Sequence, residues 1–166
     1  MPFQVNDRVV YPNFGVGRIV GLVAKTFLEA ESRLYYEVSG DRSTAWVRVD
    51  EGAACGLRRL THKEELAHFR AVLLSRPVAL NADFRQRQLD LRSQLRRGTL
   101  QDVCEVVRDL NGRRWSKTLN ESDSDALRRS SDALCQEWAA ADDVSIGQAT
   151  AEVSSLLREA RQTYQA

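Results

Sequence analysis

The sequence predicts an α+β protein of two domains: a small, strongly bent, barrel-like β-sheet over residues 1–60, then an all-helical domain of about five helices over residues 61–166. Two observations carry this expectation. Up to Leu60, β-branched and aromatic residues cluster in short runs separated by turn residues; from Thr61 onward, apolar residues recur at helical spacing behind residues suited to capping. A third observation bounds it, because 43% hydrophobic and 28% charged residues with few Gly and Pro make a globular chain and not a disordered or low-complexity one.

The strand-like runs are Arg8 to Tyr11, Val16 to Phe27, Leu34 to Val38 and Thr44 to Val49. Pro12-Asn13-Phe14-Gly15 and Ser39-Gly40-Asp41 supply the breaks, since Gly and Asn tolerate the backbone angles of tight turns. Four or five such strands cannot enclose much core as a flat sheet, so a bent, barrel-like arrangement is expected. Within Thr44–Val49, Trp46 falls on the face opposite Val47, and the pattern leaves open whether it is a core residue or an exposed anchor for a protein partner.

At Thr61 the period changes to 3.6, and Thr61-His62-Lys63-Glu64 has the pattern of a capping box that opens a helix running to about Ser75. Arg76-Pro77 breaks the chain there. Asn81, Thr99, Ser122 and Ser145 each precede a further periodic stretch, with apolar stripes Leu100/Val103/Cys104/Val107/Leu110, Leu127/Leu134/Trp138 and Ile146/Ala149/Val153/Leu156/Ala160.

The formal net charge of +1 conceals an uneven distribution. Residues 1–60 are nearly neutral, residues 61–118 carry an excess of five positive charges, and residues 119–166 an equal excess of negative ones. Arg76, Arg85, Arg87, Arg92, Arg96 and Arg97 face only Asp83 and Asp90 in their own segment. Such an excess suits a polyanion, or a solvated helix face answered by the acidic tail.

Little in the chain suggests chemistry. His62 and His68 are six residues apart and share no helical face with a Cys or acidic partner, so both read as ordinary helix residues, and no metal or cofactor is expected. Gly15-Val16-Gly17 lies between two strands and reads as a hairpin turn. No nucleophile elbow, phosphate loop or calcium loop occurs, so a non-enzymatic binding module is the expectation. The chain lacks both a run of about 18 apolar residues and a basic-then-apolar N-terminus, which predicts a soluble protein. Its three cysteines, an odd number without C-x-x-C spacing, fit a reducing cytoplasm.

Phe84 opens the arginine-rich helix beside Arg85 and Arg87, where an aromatic ring among phosphate-neutralising cations can wedge between base steps in a minor groove. Yet Phe84, Gln88, Leu91 and Leu95 also fall at the spacing of a core-facing stripe, and the residues alone leave both roles open.

Asp7-Arg8-Val9-Val10-Tyr11-Pro12-Asn13-Phe14-Gly15-Val16-Gly17 resembles the opening strand and turn of the CarD/CdnL family of bacterial transcription regulators, D-x-V-V-Y-P-x-x-G-V-G. Cys55-Gly56-Leu57-Arg58 is similar to the family's V-G-L-R, Glu105 to Leu110 to its E-V-x-R-D-L, and Leu119 to Leu127 to its L-S-x-x-E-x-x-x-L. The resemblance implies a Tudor-like first domain that docks on the lobe of the RNA polymerase β subunit. It also implies a helical domain that contacts promoter DNA at the upstream edge of the bubble, through largely sequence-independent minor-groove and phosphate contacts, and so stabilises the open complex. Carried onto this sequence, the DNA-binding positions are Phe84, where the family has a wedging Trp, with Arg85, Arg87 and Arg92. The polymerase-binding positions are Lys25, Trp46 and Arg48. A cytoplasmic monomer, nucleoid-associated through polymerase, would follow.

Three departures stand out. Phe84 offers a smaller ring than Trp and no N–H donor, Gln88 replaces an aromatic or His, and Arg48 replaces the Pro of a V-P-V sequence. They motivate an alternative, in which the chain keeps the fold as a protein-interaction module that binds polymerase or another protein without touching DNA.

Overall fold

A computed structural model describes every residue except Met1, Phe27, Glu29, Ala30, Gly52, Ala53 and Ala166. The chain divides into two compact units, Met1–Leu60 and Thr61–Ala166, at the point where the periodicity changes.

The first unit is one antiparallel sheet of β1 (Arg8–Tyr11), β2 (Gly15–Lys25), β3 (Arg33–Ser39), β4 (Thr44–Arg48) and the two-residue β5 (Arg58–Arg59), in the order β4-β3-β2-β1-β5. β5 is too short to be seen in the sequence pattern, and Phe27, at the end of the second predicted run, lies outside the described residues. Val20 is an extra residue in β2, since Ile19 pairs with Val38 while Gly21 pairs with Glu37; such a bulge bends and twists the strand. Alternation then sends Ile19, Tyr36, Val38 and Val47 inward to pack with Phe3, Val9 and Leu57. The Phe3 and Tyr36 rings meet edge to face at 5.7 Å between centroids. This bent, Tudor-like sheet leaves Tyr35, Glu37, Thr44, Trp46 and Arg48 on its outer face.

The second unit contains α1 (Leu66–Leu74), α2 (Phe84–Arg96), α3 (Leu100–Arg114), α4 (Glu121–Asp142) and α5 (Ile146–Tyr164). α3 packs against the other four helices, which is why eight of its fifteen residues are buried. Leu66, Leu73, Leu91, Val106, Val107, Leu110, Leu134, Trp138 and Val153 form its core. Ile146, placed by periodicity in the α5 stripe, is instead 53% exposed at the first position of the helix, whereas Ala149 and Val153 further along the stripe are buried.

Three of the five expected caps shift. Thr61 does not open a capping box: its hydroxyl and N–H both donate to Oε2 of the buried Glu137, at 2.7 and 3.3 Å. The box moves one residue on, where the His62 N–H donates to Glu65 Oε2 at 2.9 Å at the head of a 3-10 turn, Lys63–Glu65. At α2 the cap is Asp83, whose Oδ2 accepts from Gln86 N, while Asn81 Oδ1 accepts from Asp83 N. At α4 it is Asn120 and not Ser122. Thr99 and Ser145 cap α3 and α5 as the sequence predicts. Gly98, at φ 74°, makes the left-handed turn that separates α2 from the Thr99 cap.

The segment between α1 and α2 is strapped to α3. Asp109 Oδ1 accepts from Val78 N at 2.9 Å and from Arg108 Nε at 2.8 Å, and Arg108 Nη1 donates to Ser75 Oγ at 3.0 Å. Pro77 lies so close to α3 that a Cβ on Gly112 would stand 2.5 Å from the Pro77 Cβ. Gly112→Ala is therefore expected to cost about 1–3 kcal/mol by forcing the strap off the helix, read as a melting temperature lower by several degrees; an unchanged value would show the strap to be free to move.

Candidate functional site

α2 begins at Phe84, which is 47% exposed. The predicted stripe thus runs inward at Leu91, which is buried, and at Leu95, which packs against the core, but leaves Phe84 outside it. The core reading of Phe84 does not hold: the ring, on the first residue of the helix, is about half exposed where Leu91 is buried.

Arg87 is placed differently from the expectation of a surface cation. It is 3% exposed, and its Nε donates to Oδ2 of Asp123, itself 1% exposed, at 2.9 Å. Its Nη1 donates to the carbonyls of Asn81 and Ala82 at 3.0 and 3.2 Å. Gln88 Nε2 donates to Asp123 Oδ1 at 2.7 Å, and Arg113 Nε stands 3.8 Å from Oδ2. The Arg87 guanidinium carbon lies 5.7 Å from the centroid of the Phe84 ring, so a buried cation sits close to an exposed aromatic. Arg87 is a structural member of this helix and offers no charge to a polyanion, because burial and three acceptors have claimed it. Asp123 was not singled out in the sequence, although it occupies the acidic position of the Leu119–Leu127 motif.

The outward side of α2 differs. Arg85, Leu89, Arg92 and Arg96 fall at i, i+4, i+7 and i+11, one exposed line along the helix, with Leu89 56% exposed. Among the described residues no hydrogen bond or ion pair engages Arg85, Arg92 or Arg96, whereas Arg97 pairs with Asp102 at 2.8 Å, and Arg70, Arg108, Arg128 and Arg129 also have acidic partners. Arg85 to Arg96 spans about 16 Å of helix axis, long enough to meet several phosphates of one strand.

In the first unit, Trp46 is 40% exposed on β4, an edge strand, and Lys25 Nζ stands 3.4 Å from its ring centroid. Arg48 follows two residues on along the same face. It binds Asp50 through both carboxylate oxygens, at 3.1 and 2.8 Å, and Glu51 at 3.0 Å. The hydrogen bond between them raises the Arg48 pKa and lowers that of Asp50. The three residues carried over as polymerase contacts thus share one face, Lys25 stacked on Trp46 and Arg48 held in a fork with two acids.

Among the described residues, the other groups show no convergent chemistry. In a groove lined by Arg114, Glu121, Ser122, Asp125 and Arg128, Asp125 is paired with Arg128 and Arg129. His68 is hydrogen-bonded to Gln101 at 2.6 Å, and no cluster able to hold a metal occurs among the described residues. No helix among them is long and apolar enough to cross a membrane. All three cysteines are free. Burial pushes the Cys104 thiol up to about 12 and raises that of Cys135, while Cys55 is exposed. A thiol reagent at pH 8 should therefore titrate Cys55 alone in the native protein and all three in urea; three fast thiols in the native state would contradict the packing of α3 on α4.

Residues 69–154 match the family model of the CarD C-terminal domain, and residues 3–45 that of the CarD-like/TRCF RID domain. The chain belongs to the CarD family. It is also similar to a Bacillus subtilis (strain 168) protein named "Putative transcription factor YdeB", 27% identical over 136 residues that cover 81% of this chain and 89% of that one. Membership sets this CarD-like chain among transcription factors.

Proposed function

We propose that this CarD-family chain is a non-enzymatic regulator that docks its first unit on the RNA polymerase β-subunit lobe and lays α2 against promoter DNA at the upstream edge of the bubble, stabilising the open complex. One observation carries the DNA part: Arg85, Arg92 and Arg96 stand exposed in one line with no hydrogen bond or ion pair among the described residues, the exposed Phe84 ring at its end, in a unit where most other arginines have acidic partners. Phosphate contacts by these three would fix register without reading sequence, and Phe84 would press into the minor groove beside them. Arg87 drops out of the contact set and becomes the support of the ring. Lys25, Trp46 and Arg48 form the polymerase-facing surface, where an exposed aromatic bracketed by cations is suited to an interface core.

The test is a binding assay between the full chain and the isolated β lobe of its own organism's polymerase, followed by open-complex lifetimes on a promoter fragment. Trp46→Ala should abolish lobe binding, and Phe84→Ala should leave it intact while shortening the open-complex lifetime about tenfold, the cost of one lost stacking contact of roughly 1.4 kcal/mol. Failure of the intact protein to bind the lobe would end the tethering part of the proposal; an unchanged lifetime for Phe84→Ala would end the wedge.

A further inference from the structure

We propose that Asp123 is a positioning residue for the Phe84 surface, acting through Arg87; the inference rests on the proposed DNA role of α2. The ring of Phe84 is half exposed at the very start of its helix, where the first-turn amides have few intrahelical partners and the backbone tends to fray. A side chain meant to press between bases from such a place gains from being held in advance, since each rotamer frozen only on binding subtracts from affinity.

The structure supplies that restraint through one carboxylate. Asp123 is fixed at its own end by the α4 cap, its N–H donating to Asn120 Oδ1 at 2.8 Å. Its two oxygens then take α2 by consecutive residues, Oδ2 by Arg87 and Oδ1 by Gln88. Arg87 passes the restraint backward, its Nη1 reaching the carbonyls of Asn81 and Ala82 that lead into the Asp83 cap. The segment before Phe84 and the turn after it are thereby tied to one point on α4, on both sides of the ring. Arg113 adds a second positive charge at 3.8 Å, so the buried cluster carries two cations on one anion. A buried ion pair of this kind contributes little net stability relative to well-packed apolar residues of similar volume, which makes geometry the better account of its presence.

That contrast provides the test. Arg87→Met/Asp123→Leu replaces the pair by apolar side chains of similar bulk. Amide hydrogen exchange of the full-length protein should show Gln86 to Gln88 opening about tenfold faster in the double variant, with α3 and α5 amides unchanged and the melting temperature within a few degrees of the parent. Unaltered exchange at 86–88, or an increase spread evenly over all five helices, would overturn the positioning role. Open-complex lifetimes then separate this inference from the reading beneath it. If Phe84→Ala alone shortens the lifetime, adding Arg87→Met/Asp123→Leu to it should shorten it no further, because both act on the same ring; additive losses would refute action through Phe84. If Phe84→Ala has no effect, the wedge role falls, and the exchange result by itself decides whether Asp123 orders the start of α2.

Discussion

Replacing Asp123 with alanine is expected to destabilise the helical unit by about 3–5 kcal/mol, far more than any surface substitution in the chain. The substitution strands a guanidinium that is 3% exposed, leaves Gln88 Nε2 without its acceptor and takes from Arg113 its nearest anion. The carbonyls of Asn81 and Ala82 remain to Arg87, but two neutral acceptors do not replace a carboxylate for a buried cation. Urea unfolding should show a fall in midpoint with little change in slope, as for a loss of native-state interaction. The melting temperature should drop by roughly 10–20 °C for a unit of this size. A loss of under about 1 kcal/mol would mean that water reaches Arg87 once the carboxylate is gone, and would remove the premise of a sealed cluster.

The fold was largely legible because period and punctuation agree in this chain. Thr44 to Arg48 alternates so that Ala45 and Val47 turn inward and Trp46 outward, as the pattern requires. α3 is periodic along its whole length and lies at the centre of its unit. Caps were less legible, since Thr61, Asn81 and Ser122 each stand one or two residues from a better-placed polar residue. Tertiary bonding chose between them, the buried Glu137 drawing Thr61 away from the helix it precedes. The candidate site was the hardest part. In Phe84-Arg85-Gln86-Arg87 the two arginines look alike, and nothing within the helix says that one is buried and the other solvated. The difference comes from Asp123, thirty-six residues away on α4, and only the position of that acid in the Leu119–Leu127 motif hinted at it. Phe84 misled in the opposite direction: its spacing with Leu91 and Leu95 is that of a core stripe, yet a stripe's first member is buried only if the neighbouring helices extend past it.

The larger functional effect is expected at Arg85, Arg92 and Arg96, which have no hydrogen bond or ion pair among the described residues. Arg85→Gln/Arg92→Gln/Arg96→Gln should lower the slope of log binding constant against log salt by about 2.7, since each phosphate contact contributes roughly 0.9. Open-complex stabilisation should fall together with it, while lobe binding stays intact. The substitutions break no bond among the described residues, so the helical unit should melt as the parent does, in contrast to a change that removes Arg87 or Asp123 alone. Arg128→Gln/Arg129→Gln serves as the control: it also removes exposed positive charge, but from side chains engaged with Asp125 on α4, and should leave the slope where it was. A slope that drops equally in both variants would mean that only net charge matters and that α2 is no particular surface. A slope and lifetime unchanged in the triple variant, with lobe binding retained, would turn the assignment to a module that grips polymerase without touching DNA. On that outcome the exposed line of Arg85, Leu89, Arg92 and Arg96 would have to face an acidic protein surface instead, and Leu89, an apolar residue among cations, would become the side chain to test next.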